Sequence, residues 1–149
     1  MRVVQVTARR CHSVRAAGIY RGMNVTLWVV TGILAAVLLV STSKMFVPRE
    51  KIAAVGHAGQ WVLDFSPAAL RVIGSLELLA AIGLTLPAVL DIVPVLVPVT
   101  ATCVALLFTG AAIMRWRRGE RATIIVDLVY LAMAVFVAWG RFGPYAFAG

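Results

Sequence analysis

Three ionisable side chains sit inside apolar runs of this sequence: Arg71, Glu77 and Asp127. Such groups are costly in a lipid environment, so they pair with one another, bind something or carry a proton. Arg71 and Asp127 each fall about five residues into their runs. That places both roughly 6–8 Å inside the same end at the ordinary helical rise. An Arg71–Asp127 ion pair is the expected arrangement. Glu77 lies ~9 Å deeper than Arg71 and is turned ~120° from it. No second base is expected at that depth. A carboxyl alone there favours its neutral form and can donate a hydrogen bond to a carbonyl or a ligand oxygen. Gly74 is one turn before Glu77 on the same face and leaves room beside it. Tyr130 is near enough in sequence to Asp127 to share its face. The reading is a polar pocket inside a bundle, lined by Arg71, Gly74, Glu77, Asp127 and Tyr130. The competing reading is that these groups only lock helix against helix.

Other chemistries find little support. His12 and His57 both fall outside the apolar runs, so haem ligation by paired histidines within them is unsupported. No His, Cys and carboxylate cluster has metal-ligand spacing, and no Gly-rich phosphate loop occurs. Cys11 and Cys103 form no CxxC pair, and Cys103 reads as a small buried hydrophobe. No residue can be assigned a catalytic role, and neither a metal nor an intrinsic cofactor is expected. Whether the chain is an enzyme is left open.

The elements that must hold these residues are transmembrane helices. The 149 residues are 62% hydrophobic and 13% charged, with a mean hydropathy of +0.96. A soluble domain of this length could not hide that much apolar surface, so lipid is the expected solvent. The net charge is +8, but the positives flank apolar runs, where they meet headgroups rather than nucleic acid.

Residues 1–22 form an arginine-rich leader, expected to have little structure of its own. The spans are expected at Asn24–Ser43, Pro67–Pro87, Ile92–Met114 and Ala122–Gly140. Each is long enough to cross an apolar layer of ~30 Å. Residues 44–66 read as an amphipathic interfacial connection, with Trp61 at headgroup level. Ser66 can cap the second span, and Pro67 suits its first position because a proline N–H is not missed there. Pro94 and Pro98 predict a bend early in the third span. Trp139 and Tyr145 fit an aromatic belt, and residues 145–149 are a tail. The fold class is all-α, a four-helix transmembrane bundle with one membrane domain over residues 23–144. Without residues 1–22, the basic loops Lys44–Lys51 and Arg115–Arg121 favour a cytoplasmic location for the first and third connections; counting the five arginines of residues 1–22 leaves the orientation undecided.

Several local patterns in this order resemble the DoxX-like family of small bacterial membrane proteins. They are the Met23-Asn24 start, Ser43-Lys44, Asp64-Phe65-Ser66-Pro67, the run Arg71-Val-Ile-Gly74-Ser-Leu-Glu77 and Gly83-Leu-Thr-Leu-Pro87. Arg117-Arg118-Gly119-Glu120 and the tail from Ala138 to Pro144 complete the set. The resemblance covers residues 23–144 and implies a multi-pass protein of the bacterial cytoplasmic membrane. The family is similar to the quinone-reducing membrane subunit of a thiosulfate:quinone oxidoreductase, and some relatives are linked to complexes handling thiol oxidative stress. It therefore implies a quinone as ligand and a soluble or membrane redox partner, with Arg71, Gly74 and Glu77 carried over as site residues. Two other readings stand beside it: a non-catalytic scaffold subunit, and a carrier of small molecules or lipid. No oligomeric state follows from the sequence.

Overall fold

The computed structural model describes residues 2–90, 92–93, 95–143 and 145, and for residues 2–17, 57 and 58 it describes the backbone alone. Among the described residues five α-helices follow one another: α1 (Arg2–Thr42), α2 (Arg49–Ala54), α3 (Pro67–Leu90), α4 (Leu96–Arg118) and α5 (Arg121–Phe142). Short 3-10 turns occupy Ser43–Met45 and His57–Asp64, and no strand occurs among the described residues. Four segments are long and apolar enough to cross a membrane: Gly18–Met45, Pro67–Leu90, Leu96–Arg118 and Arg121–Phe142. The chain is thus an all-α four-helix membrane bundle, with apolar outer faces suited to lipid.

The helices form a closed ring. α1 packs against α3 and α5, and α4 packs against the same two neighbours. The core between them holds Leu34, Leu38, Leu84, Val97, Val104 and Val137, all essentially buried. Leu79, Leu106 and Ile125 point outward. In water such an outer surface would be a liability; in lipid it is the normal boundary. Small residues set the closest approaches, as lipid-embedded helices require. A Cβ at Gly83 would lie 2.6 Å from Thr100 Oγ1, and one at Gly140 would lie 2.7 Å from a Leu27 methyl.

Local chemistry explains the start of α3 and the end of α4. Ser66 Oγ accepts a hydrogen bond from the Ala69 N–H at 3.1 Å, and Pro67 opens α3. Gly119 closes α4 in the left-handed region, at φ 74°, where a side chain would be strained. α1 starts at Arg2, so residues 2–22 are backbone helix continuous with the span instead of the little-structured leader expected. No proline precedes Pro48 to stop a helix there.

α4 begins four residues later than the Ile92 expected from sequence and ends four residues later than Met114. Pro98 becomes the third residue of the helix, where its missing N–H has no intrahelical partner to lose, so no bend is required there. Pro94 and Asp91 lie outside the described residues.

Candidate functional site

The first and third connections share one end of the bundle, and the charged side chains gather there. α1 ends here at Thr42. Its terminal turn, Ser43–Met45, lies against the interior of α3 rather than against its start. Gly74 permits the contact: a Cβ at that position would run into the Met45 side chain. Lys44 is therefore carried inward to the level of Glu77. Lys44 Nζ lies 2.6 Å from Glu77 Oε1, and the two side chains are 8% and 5% exposed. Glu77 is not alone at its depth, as the sequence reading had it.

Ser41 completes the cluster. Its hydroxyl donates to Glu77 Oε1 at 3.1 Å and accepts from Lys44 Nζ at 3.1 Å. Lys44 also sits over the Trp61 ring, 5.2 Å from its centroid. Glu77 Oε2, on the other side of the carboxylate, is buried and has no hydrogen-bond partner among the described residues.

A second cluster faces it from α4 and α5. Arg115 Nε lies 2.6 Å from Asp127 Oδ2. The contact is an ion pair without the alignment of a hydrogen bond, and Oδ2 accepts none among the described residues. Arg115 Nη1 donates to Glu120 Oε2 at 3.2 Å, and Arg118 Nε donates to Glu120 Oε1 at 2.6 Å. Arg118 also pairs with Asp64, at the end of the first connection. Charged contacts thus run without a break from half-exposed Asp64 to buried Asp127.

The expected Arg71–Asp127 pair does not form. Arg71 is exposed on the outer face of α3, close enough to the helix start to reach toward headgroups. The pairing partner is Arg115, which the sequence reading placed in a loop. α4 lies four residues further along the chain than expected, which takes Arg115 into the helix.

Between these clusters lies a cavity of about 620 Å³. Glu77, Lys44 and Ser41 line it from one side, Asp127 and Arg115 from the other. Phe108, Leu107, Leu76 and Val104 supply apolar wall, and Trp61 and Phe65 of the first connection line it as well. Trp61 is half-buried there. Two of the five residues singled out from sequence, Glu77 and Asp127, line this cavity. Gly74 acts by admitting Met45, and Tyr130 packs on Phe108 with ring centroids 5.3 Å apart.

Cys103 lines the cavity and is exposed, contrary to the buried position expected for it. It lies on the face of α4 turned to the cavity mouth rather than to the core. Leu76 and Gly110 are exposed beside it, so the cavity opens between α3 and α4 toward the lipid side. The side chains of His57, His12 and Cys11 lie outside the described residues.

At the opposite end of the bundle, buried Arg141 donates to Asn24 Oδ1 at 2.9 Å and to the Tyr145 carbonyl at 3.2 Å. It also lies 5.8 Å from the Trp28 ring, tying α5 to α1. No group of three or more His, Cys, Asp or Glu suited to a metal occurs among the described residues.

Glu120 gives this network a pH signature. The hydrogen bond from Arg118 holds its carboxyl below the usual carboxylate range, burial opposes this, and the charges of Arg118 and Arg115 add to it. A carboxyl lowered on folding stabilises the protein fully above the unfolded value, about 4.3, and that contribution is lost as pH falls through the lower folded value. The unfolding midpoint in detergent is therefore expected to be level above pH ~5 and to fall below pH ~4. In Glu120→Gln the plateau should drop and the acid limb become shallower. An acid limb identical to the parent's would remove Glu120 as a source.

A ring of four spans around a polar-lined cavity defines a small integral membrane protein built from one bundle. The chain belongs to the DoxX-like family, whose sequence profile matches residues 29–137. No curated protein and no solved structure matches it.

Proposed function

We propose that this DoxX-like protein binds a quinone in the cavity between its helices and serves as the membrane subunit of a redox complex. The observation that carries the reading is Glu77, buried at 4% exposure, paired on one oxygen with Lys44 and without a hydrogen bond on the other among the described residues, in the wall of a mainly apolar cavity. Ligand sites of this kind are mostly apolar, with a few placed polar groups, and run to several hundred Å³.

The residues present fit a quinone. Phe108, Leu107 and Leu76 suit a ring and the start of a tail, and the two charged clusters suit ring oxygens. A bound quinone would supply two-electron, two-proton chemistry. This chain's own part is to hold the ring, to shield it from water and to place the Glu77 and Asp127 carboxylates beside its oxygens. Electrons would come from a partner protein, soluble or in the membrane.

The test is native mass spectrometry of the protein released gently from its own membrane, beside Glu77→Gln. A quinone-sized mass in the parent that is absent from the variant is the expected result. Protein partners or lipid alone, equal in both samples, would favour a scaffold subunit in which the buried charges serve packing.

A further inference from the structure

Two fully buried side-chain atoms of the cavity-lining residues have no hydrogen bond among the described residues, and both are carboxylate oxygens. Glu77 Oε1 receives Lys44 and Ser41 together, so Oε2 on the same carboxylate is bare. Asp127 Oδ2 touches Arg115 but takes no hydrogen bond among the described residues. The donors of Ser41 and Lys44 are largely directed to the protein itself, whereas Arg115 has only its Nη1 hydrogen-bonded among the described residues. Ser41 gives its proton to Glu77, and Lys44 gives one to Ser41 and one to Glu77 while facing the Trp61 ring. Arg115 Nη1 is directed to Glu120.

Buried acceptors without partners are destabilising, and a ligand that offers donors relieves them. Each carboxylate already has a cation beside it, so the pair of clusters is close to electroneutral and a charged ligand gains little. The remaining wall is apolar. From these features we infer that the cavity selects a neutral amphiphile bearing hydroxyl donors, which on the quinone reading above is the hydroquinone rather than the quinone. Glu77 Oε2 and Asp127 Oδ2 are the acceptors that read it. Tighter binding of the reduced form also makes reduction of the bound pair easier. A tenfold preference corresponds to about 30 mV for two electrons.

The inference rests on the cavity being a ligand site, and the test separates the two. Three probes with the same decyl tail are titrated by calorimetry into the full chain in nanodiscs, with empty nanodiscs subtracted. They are a benzoquinone, its hydroquinone and the hydroquinone dimethyl ether, which keeps the shape and lacks the donors. The hydroquinone is expected to bind about tenfold or more tightly than the dimethyl ether, and more tightly than the quinone. Asp127→Asn, which replaces an acceptor with an amide while preserving shape, should shrink that ratio. Equal binding of the three probes, or tighter binding of the quinone, would overturn the donor selection and leave the cavity a quinone site. Binding of none of them would overturn both.

Discussion

Lys44→Met should lower the unfolding free energy by about 3–5 kcal/mol, because it leaves the Glu77 carboxylate buried without its cation. The reason is the 2.6 Å contact between two side chains that are almost wholly enclosed. Coulomb attraction there offsets the cost of desolvation only while both partners are present. Glu77→Gln alone should cost less, since the amide keeps the shape and can still accept from Ser41. The double variant should be less destabilised than the sum of the single ones, with a coupling above ~1 kcal/mol. Unfolding by SDS titration in mixed micelles measures all three. Strict additivity would show that Lys44 and Glu77 do not depend on each other.

Arg115→Met is expected to be as damaging, at about 3–5 kcal/mol. Arg115 touches two carboxylates, Glu120 at 3.2 Å and Asp127 at 2.6 Å. Glu120 retains Arg118 when Arg115 is lost, whereas Asp127 loses the one cation in contact with it among the described residues. Asp127 therefore carries most of the expected cost, and adding Asp127→Asn should restore part of the stability. The control is Arg71→Met. Arg71 is exposed, so its loss should change stability by no more than about 0.5 kcal/mol. Coupling of Asp127 to Arg71 instead of to Arg115, measured by the same double-variant cycle, would reverse the assignment of partners.

The four spans were legible because uncharged runs of about twenty residues have one common explanation in a chain this apolar. The start of α3 was legible for a different reason. Ser66 and Pro67 each have a specific role at a helix terminus, and the Ser66–Ala69 hydrogen bond fulfils it. Glu77 and Asp127 stood out because carboxyls inside apolar runs are rare. Their partners were not legible from the same rule. Depth was reckoned from the ends of each run, as though all spans began level. The turn after α1 instead lies against the interior of α3, which brings Lys44 to Glu77. Arg115 was missed by boundary error alone: four further residues at the end of α4 convert a loop charge into a cavity charge. Sequence spacing fixes relations within one helix, but relations between helices depend on packing. The cue that could have been used is Gly74, a residue without a side chain facing the turn that carries Lys44.

Leu76, Cys103 and Gly110 leave the mouth of the cavity between α3 and α4 facing lipid. An amphiphile reaching that mouth is already dissolved in the bilayer, so its chemical potential there is set by its mole fraction among the lipids. Diluting the surrounding water would leave occupancy unchanged, whereas adding inert lipid would empty the site. On the proposed reading, such a protein would count molecules per lipid, and its degree of saturation would report the composition of the membrane it sits in.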